Sequence, residues 1–198
     1  MRKVSGNLIT LAKQGEFDVI VHGCNCFNTM GSGIAKQIRE NFPDAFDVDD
    51  KTVRGDKNKL GSFTVARITH WSVVPALFQG SDPFLVPELQ VFYVVNAYSQ
   101  YEYGRDKVNF DYNAFQTFLY SFKNYVELMA TSNVRQNETG KFEPLNEPLK
   151  TIKIGMPMIG SGLAGGDWTR IVGMLRFFER SLKGLAFLTV VEYDGSLS

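Results

Sequence analysis

Two glycine-rich turns, each closing an apolar strand and opening a helix, restrict what this chain can become. The first follows Val19-Ile20-Val21 and carries Gly31-Ser32-Gly33 ahead of Ile34 and Ala35. The second follows the Ile152–Met156 stretch and carries Gly160-Ser161-Gly162 ahead of Leu163 and Ala164. Glycine lets the backbone turn sharply and lets a ligand approach the amides closely. A helix start just beyond adds unpaired N–H groups and the positive end of a dipole, a natural seat for phosphate. Two such turns in 198 residues predict a ligand with two phosphates, or one phosphate gripped from both sides.

The rest of the chain sets the frame. Its length fits a single domain over residues 1–198, and 44% hydrophobic with 21% charged residues argues against wholesale disorder. Lys+Arg and Asp+Glu are equal at 21, so no global basic field exists to hold nucleic acid. Cys24 and Cys26, the only cysteines, are poorly placed to pair with each other, which suits a reduced cytoplasmic chain. With His22 and His70 the only histidines, no zinc site is expected, and no cofactor. No apolar stretch approaches membrane-spanning length, and a monomer in the cytoplasm is the expectation.

Strands and helices alternate. Strands are predicted at residues 3–5, 18–24, 61–68, 88–97, 152–156 and 186–193, with the Pro75–Pro87 stretch looping between the third and fourth. Ile34, Ala35, Ile38 and Phe42 fall on one helical face that Pro43 stops, and a short helix plus loop follows to Lys59. Asp111 can cap a long helix whose Phe115, Phe118, Phe122, Val126 and Met129 form a core stripe. Residues 133–148 read as a polar surface excursion, and Asp167 caps a last helix carrying Ile171, Leu175, Phe178 and Leu182. The order implies a three-layer α/β/α domain.

Other motifs fail on context. Gly160, Gly162 and Gly165 satisfy G-x-G-x-x-G, but only one strand comes after them, so the remaining units of a dinucleotide half-domain are missing. Lys36 lacks the spacing and the following Ser or Thr of a P-loop, and there is no G-x-S-x-G elbow and no H-E-x-x-H.

The first turn resembles the binding loop of macro domains, with His22-Gly23-Cys24-Asn25 in place of Asn-Ala-Ala-Asn and Gly31-Ser32-Gly33 in place of the glycine triplet. Met156 to Trp168 resembles the family's second loop, which wraps a diphosphate, and the strand–helix order agrees across nearly the whole chain. The resemblance implies an α/β/α macro domain around a central mixed sheet, binding ADP-ribose. The His-x-Cys-Asn-Cys variant is most similar to the yeast-type ADP-ribose 1″-phosphate phosphatase branch, which implies hydrolysis of ADP-ribose 1″-phosphate to ADP-ribose and phosphate without a metal. A hydrolase of ADP-ribosylated protein or nucleic acid, or a non-catalytic reader, would share the same loops. Related terminal glycohydrolases carry a catalytic lysine where this chain has Gln100, and an aspartate where it has Ala164-Gly165-Gly166.

On this resemblance Asn25 contacts the distal ribose, a role its amide suits as donor and acceptor; alternatively it shapes the turn. His22 acts as acid or base, or holds the loop by a hydrogen bond. Asp167 faces the terminal phosphate or its attacking water, or caps its helix. Gly31, Ser32, Gly33 and Ile34 present amides to one side of the diphosphate, and Gly160, Ser161, Gly162, Leu163 and Ala164 to the other. Asn7 receives the adenine amino group, Leu8 offers its N–H, and Tyr193, or Val191 in another register, stacks on adenine. Tyr101, Tyr103 and Arg105 close over the distal ribose, with Arg105 forking onto a terminal phosphate.

Overall fold

The computed structural model describes residues 1–76, 84–104, 106–131, 134–136, 142–144 and 151–196. A six-stranded sheet runs through it, built from β1 (Arg2–Gly6), β2 (Val19–Asn25), β3 (Phe63–Ala76), β4 (Phe84–Gln100), β7 (Ile152–Pro157) and β8 (Ala186–Tyr193). A separate two-stranded sheet pairs β5 (Val134–Gln136) with β6 (Phe142–Pro144). The helices are α1 (Leu8–Lys13), α2 (Gly33–Asn41), α3 (Pro43–Asp50), α4 (Tyr112–Thr131) and α5 (Trp168–Ser181). Strand order in the large sheet is β1-β8-β7-β2-β4-β3; every neighbouring pair is parallel except β3 with β4. The sheet is therefore mixed, as expected for the α/β/α class.

Burial on both faces explains why the inner strands read as continuous apolar runs. On one face Val19, Val21, Ile154 and Met156 meet the predicted stripe of α4 and the Ile171, Leu175 and Phe178 positions of α5. On the other, Ile20, Phe92 and Val94 meet Leu8, Ile9, Ile38, Phe42 and Ala45 from α1, α2 and α3. Each fully buried phenylalanine of α4 contributes roughly 1.5–3 kcal/mol. Both predicted caps form: Asp111 Oδ1 accepts from the N–H of Asn113 and Ala114, and Asp167 Oδ1 from that of Thr169.

The hairpin departs from the sequence expectation. The described ends of the anticipated Pro75–Pro87 loop, residues 75–76 and 84–87, are strand, because β3 and β4 pair from Phe63↔Ala97 out to Ala76↔Phe84, while residues 77–83 lie outside the described residues. β2 flanks β4 only from Tyr93 onward, so the outer ribbon has open edges that accommodate the prolines at 75 and 87. Within residues 133–148, the described segments are β5 and β6, which run antiparallel to each other. No described helix is long and apolar enough to cross a membrane.

Candidate functional site

The turns after β2 and β7 lie at the carboxyl ends of adjacent parallel strands, where α/β sheets place their ligands. Asn25 ends β2 and shapes the turn beyond it: its Oδ1 accepts from the Phe27 N–H at 2.8 Å, and its Nδ2 donates to Thr29 O and Oγ1 at 3.0 and 2.7 Å. Asn28 sits at φ +56° and is tied down by donation from its Nδ2 to the carbonyl oxygens of Asp49 and Thr52. Met30 is buried, and the chain then surfaces at Gly31, Ser32 and Gly33. Gly33 takes φ +56° at the first position of α2, and Ser32 caps it through backbone geometry alone. The N–H groups of Gly33, Ile34 and Ala35 have no acceptor among the described residues and carry the positive end of the helix dipole.

The second loop is braced from within. Gly166 N–H donates to Gly160 O, Gly165 N–H to Gly162 O, and Ser161 N–H and Oγ–H both to Met158 O. The N–H groups of Asn109 and Phe110 both donate to Ala164 O, fixing the loop against the start of α4. The amides of Gly160, Gly162, Leu163 and Ala164 are left without an acceptor among the described residues. The loops close on each other: a Cβ at Gly33 would stand 3.8 Å from Leu163 Cδ1.

Between them lies a cleft of about 540 Å³, a size suited to a small organic ligand. Its walls include Gly31, Ser32, Gly33, Ile34 and Ala35 on one side and Gly160, Gly162, Leu163 and Ala164 on the other. Gly23, Asn25, Thr29, Ser99, Gln100, Tyr103, Gly104 and Pro157-Met158-Ile159 complete it. Among these residues only Tyr103 is titratable. Among the described residues, an anion here would meet amides and one helix dipole and no charged side chain.

The structure brings together the glycine loops and Asn25, but several expected partners go elsewhere. His22 is fully buried beneath the loop and is no part of the cleft wall. Strand alternation turns it, with Ile20 and Cys24, to the sheet face opposite Gly23. Its Nε2 lies 2.7 Å from Asn96 Oδ1, while Asn96 Nδ2 donates to Ala45 O and Thr64 Oγ1. Asn96 Oδ1 can then only accept, so the network assigns the His22 proton to Nε2. His22 is thus held by a hydrogen bond to the neighbouring strand β4 and stands off the described cleft wall, where an acid–base role would need it to face the ligand.

Asp167 also lies off the cleft and performs its capping role. Asn7 caps α1, its Oδ1 receiving the N–H of Ile9 and Thr10 and its Nδ2 donating to Ser196 O, so its carbonyl is already engaged and not free for adenine. Leu8 packs its side chain into the core, and its N–H, at the first position of α1, has no acceptor among the described residues. Tyr193 is exposed at the end of β8, opposite Gly6 of β1 and away from the cleft wall, while Val191 is buried. Ser161 lies behind the loop, where its hydroxyl closes on Met158. Tyr101 donates its hydroxyl to Gly55 O and packs edge-on to Phe27, leaving Tyr103 as the loop's tyrosine on the cleft. Arg105 lies outside the described residues. Thr29, Ser99, Met158 and Ile159 line the cleft without having been singled out by the sequence. Burial raises the Cys24 and Cys26 thiols above the ordinary thiol range, which keeps them protonated and inert. Among the described residues no cluster of His, Cys, Asp and Glu could hold a metal.

Burial lowers the His22 pKa to about 4, outweighing the hydrogen bonds to Asn96 and Gly23 that favour the charged form. Below pH 6.5 an unfolded chain takes up a proton that the folded ring refuses until about pH 4. Stability therefore falls as pH drops through that window, by about 3 kcal/mol in all. Urea denaturation of wild type and His22→Gln at pH 7 and pH 4 should show this excess acid sensitivity in the wild type only. Parallel losses in the two proteins would refute it.

No model of a known protein family matches the chain. It is 32% identical over 195 residues, 98% of this chain and 97% of the relative, to the "uncharacterized 17.5 kDa protein in tk-vs intergenic region" of Enterobacteria phage T4. Among solved structures, the macrodomain of Mycobacterium tuberculosis DarG superposes with a TM-score of 0.59 at 16% identity, covering 98% of this chain and 97% of that one. Thermosipho africanus DarTG, solved in complex with ADP-ribose, gives 0.60 at 13% identity, covering all of this chain and 43% of that one. The chain belongs to the family of the phage T4 protein, and it is built on the macrodomain fold.

Proposed function

We propose that this protein binds ADP-ribose, with the diphosphate lying between the Gly31–Ala35 and Gly160–Ala164 turns. One observation carries the reading: residues whose backbone N–H groups have no acceptor among the described residues line both sides of a cleft with no charged side chain in its described wall. Such an arrangement suits a diphosphate ester, which amides and a helix N-terminus can coordinate without a counter-ion. The ADP-ribose complex of the structurally similar Thermosipho protein supports the same ligand.

Hydrolysis of ADP-ribose 1″-phosphate is the finer activity we carry forward, from the likeness of the His22–Asn25 stretch to the phosphatase branch. Of its three proposed catalytic residues only Asn25 stands on the cleft. Turnover would then depend on positioning and on amide stabilisation of the phosphoryl group, without an acid–base pair on the described wall. The lining therefore favours tight binding over rapid chemistry.

Isothermal titration with ADP-ribose tests the binding, and phosphorus NMR of ADP-ribose 1″-phosphate with the same protein and a chelator tests the chemistry. Gly162→Val supplies the site control. Gly162 is exposed on the cleft wall, and a Cβ there meets nothing within 4 Å. The variant should keep the wild-type melting temperature to within about 2 °C and weaken ADP-ribose binding by about tenfold or more. Unchanged affinity would move the ligand out of this cleft.

A further inference from the structure

We infer that the groove between α4 and α5 is an interface at which two copies of this chain pair, about a two-fold axis that sets the helices of one antiparallel to those of the other. This pairing replaces the monomer expected from the sequence and is independent of the ligand reading above. α4 and α5 follow parallel strands and run in the same direction on one face of the sheet. Arg170 meets Tyr112 near their starts, and Phe178 meets Phe122 further along. Between their outer faces lies a groove of about 690 Å³. Tyr120 on one wall and Phe177 on the other are 71% and 76% exposed. Two large side chains this open, beside Tyr112, Met174 and Arg170, have the composition of an interface centre, where aromatic residues, Met and Arg are enriched.

The shape of α5 favours a second copy as the occupant. Gly173 lies in the interior of this helix, where glycine is disfavoured, and a Cβ there would meet nothing within 4 Å. Packing within the subunit therefore does not call for glycine at this position, and the residue leaves a notch in the exposed face. Phe177 stands one turn further along the same face. Antiparallel helices set such a knob and notch against the notch and knob of a partner, so each Phe177 seats over the partner's Gly173. An isologous contact requires this self-complementarity, with both halves supplied by one surface.

Charge points to the same arrangement. Arg170 is exposed in the first turn of α5, 3.8 Å over the Tyr112 ring, and has no ion-pair partner among the described residues. Glu127 lies one turn beyond Lys123, toward the C-terminus of α4 and the far end of the groove. Lys123 Nζ donates to its Oε1 at 2.6 Å, and Oε2 has no donor among the described residues. Each of these two charges opposes the dipole of its own helix. The two-fold axis brings Arg170 to the partner's Glu127 at both ends of the contact, where each charge complements the partner's helix dipoles as well as its side chain.

Sedimentation velocity of the wild type from about 1 to 100 μM should show a species of twice the chain mass forming within that range. Gly173→Leu, which fills the notch while favouring the helix, should weaken pairing about tenfold or more without lowering the melting temperature of the dilute monomer. Arg170→Glu alone and Glu127→Arg alone should each lose the dimer, because like charges then meet at both ends. An equimolar mixture of these two variants should pair again, since every such contact is then between opposite charges. A wild type that stays monomeric at the highest concentration would overturn the inference and leave the groove to a different partner. A dimer that Gly173→Leu leaves intact would overturn it too, by placing the interface elsewhere. Single variants whose mixture gains nothing would reject the antiparallel pairing.

Discussion

Gly160→Ala should be among the most damaging single substitutions in this protein, lowering stability by about 3–5 kcal/mol. Two costs coincide at the position. The backbone stands at φ +78°, where an L side chain is strained, and an added Cβ would lie 2.4 Å from two carbons of the Phe110 ring. Phe110 has no room to yield: it is buried, packs at 5.2 Å on Phe115, and meets Tyr112 edge-on at 5.1 Å. Tyr112 in turn accepts the Asp167 N–H, so a shifted ring disturbs the start of α5 as well. Two other glycines separate the costs. Gly184 shares the positive φ, at +86°, but its Cβ would meet nothing within 4 Å, so Gly184→Ala isolates the backbone term at about 1 kcal/mol. Gly162 has open space without the positive φ. Urea denaturation should rank Gly160→Ala well beyond Gly184→Ala, with Gly162→Ala nearly neutral. If Gly160→Ala costs no more than Gly184→Ala, the ring gives way and the second loop is softer than its packing indicates.

The two loops were legible in the sequence because their chemistry demands glycine. Gly33, Gly160 and Gly165 all take positive φ, and that requirement is written in the residue type itself. The core stripe of α4 and both aspartate caps were legible for the same kind of local reason. What could not be read was whatever depends on partners far along the chain. His22 turns away from the cleft because its ring meets Asn96, 74 residues later. Alternation placed it with Ile20 and Cys24, but only the pairing with β4 says which face the trio occupies. Asn7 is engaged partly by Ser196, 189 residues away. The β-bulge at Ser99, between the Cys24↔Tyr98 and Asn25↔Gln100 pairs, exists only in the register between two strands, so a single strand read alone gives no sign of it. The length of the β3–β4 ribbon was hidden by prolines that a sequence reading takes as breakers and an open-edged ribbon tolerates.

Asp49→Ala should cost a comparable 3–5 kcal/mol or so, through charge instead of crowding. Asp49 and Lys59 are 1% and 6% exposed, with Lys59 Nζ 3.4 Å from Asp49 Oδ1. Asp49 Oδ1 also accepts the Tyr98 hydroxyl at 2.8 Å, and Lys59 Nζ donates to Asn28 Oδ1 at 2.6 Å while lying 4.4 Å from the Tyr98 ring centre. Removing the carboxylate leaves a buried ammonium with only neutral neighbours, which is far worse than removing both charges. Asp49→Ala combined with Lys59→Met should therefore recover much of the loss, and a double-mutant cycle measures the coupling. The pair also reaches the cleft. Asn28, held at φ +56° between Lys59 and the carbonyl oxygens of Asp49 and Thr52, sets the path of the loop toward Gly31. Lys59→Met alone, tested where the protein remains folded, should lower ADP-ribose affinity without touching any cleft residue. A variant that loses stability but binds as wild type would mean that the loop is held by Met30 and the Asn25 turn alone. Loss of both would make the buried pair the support on which the first amide wall stands.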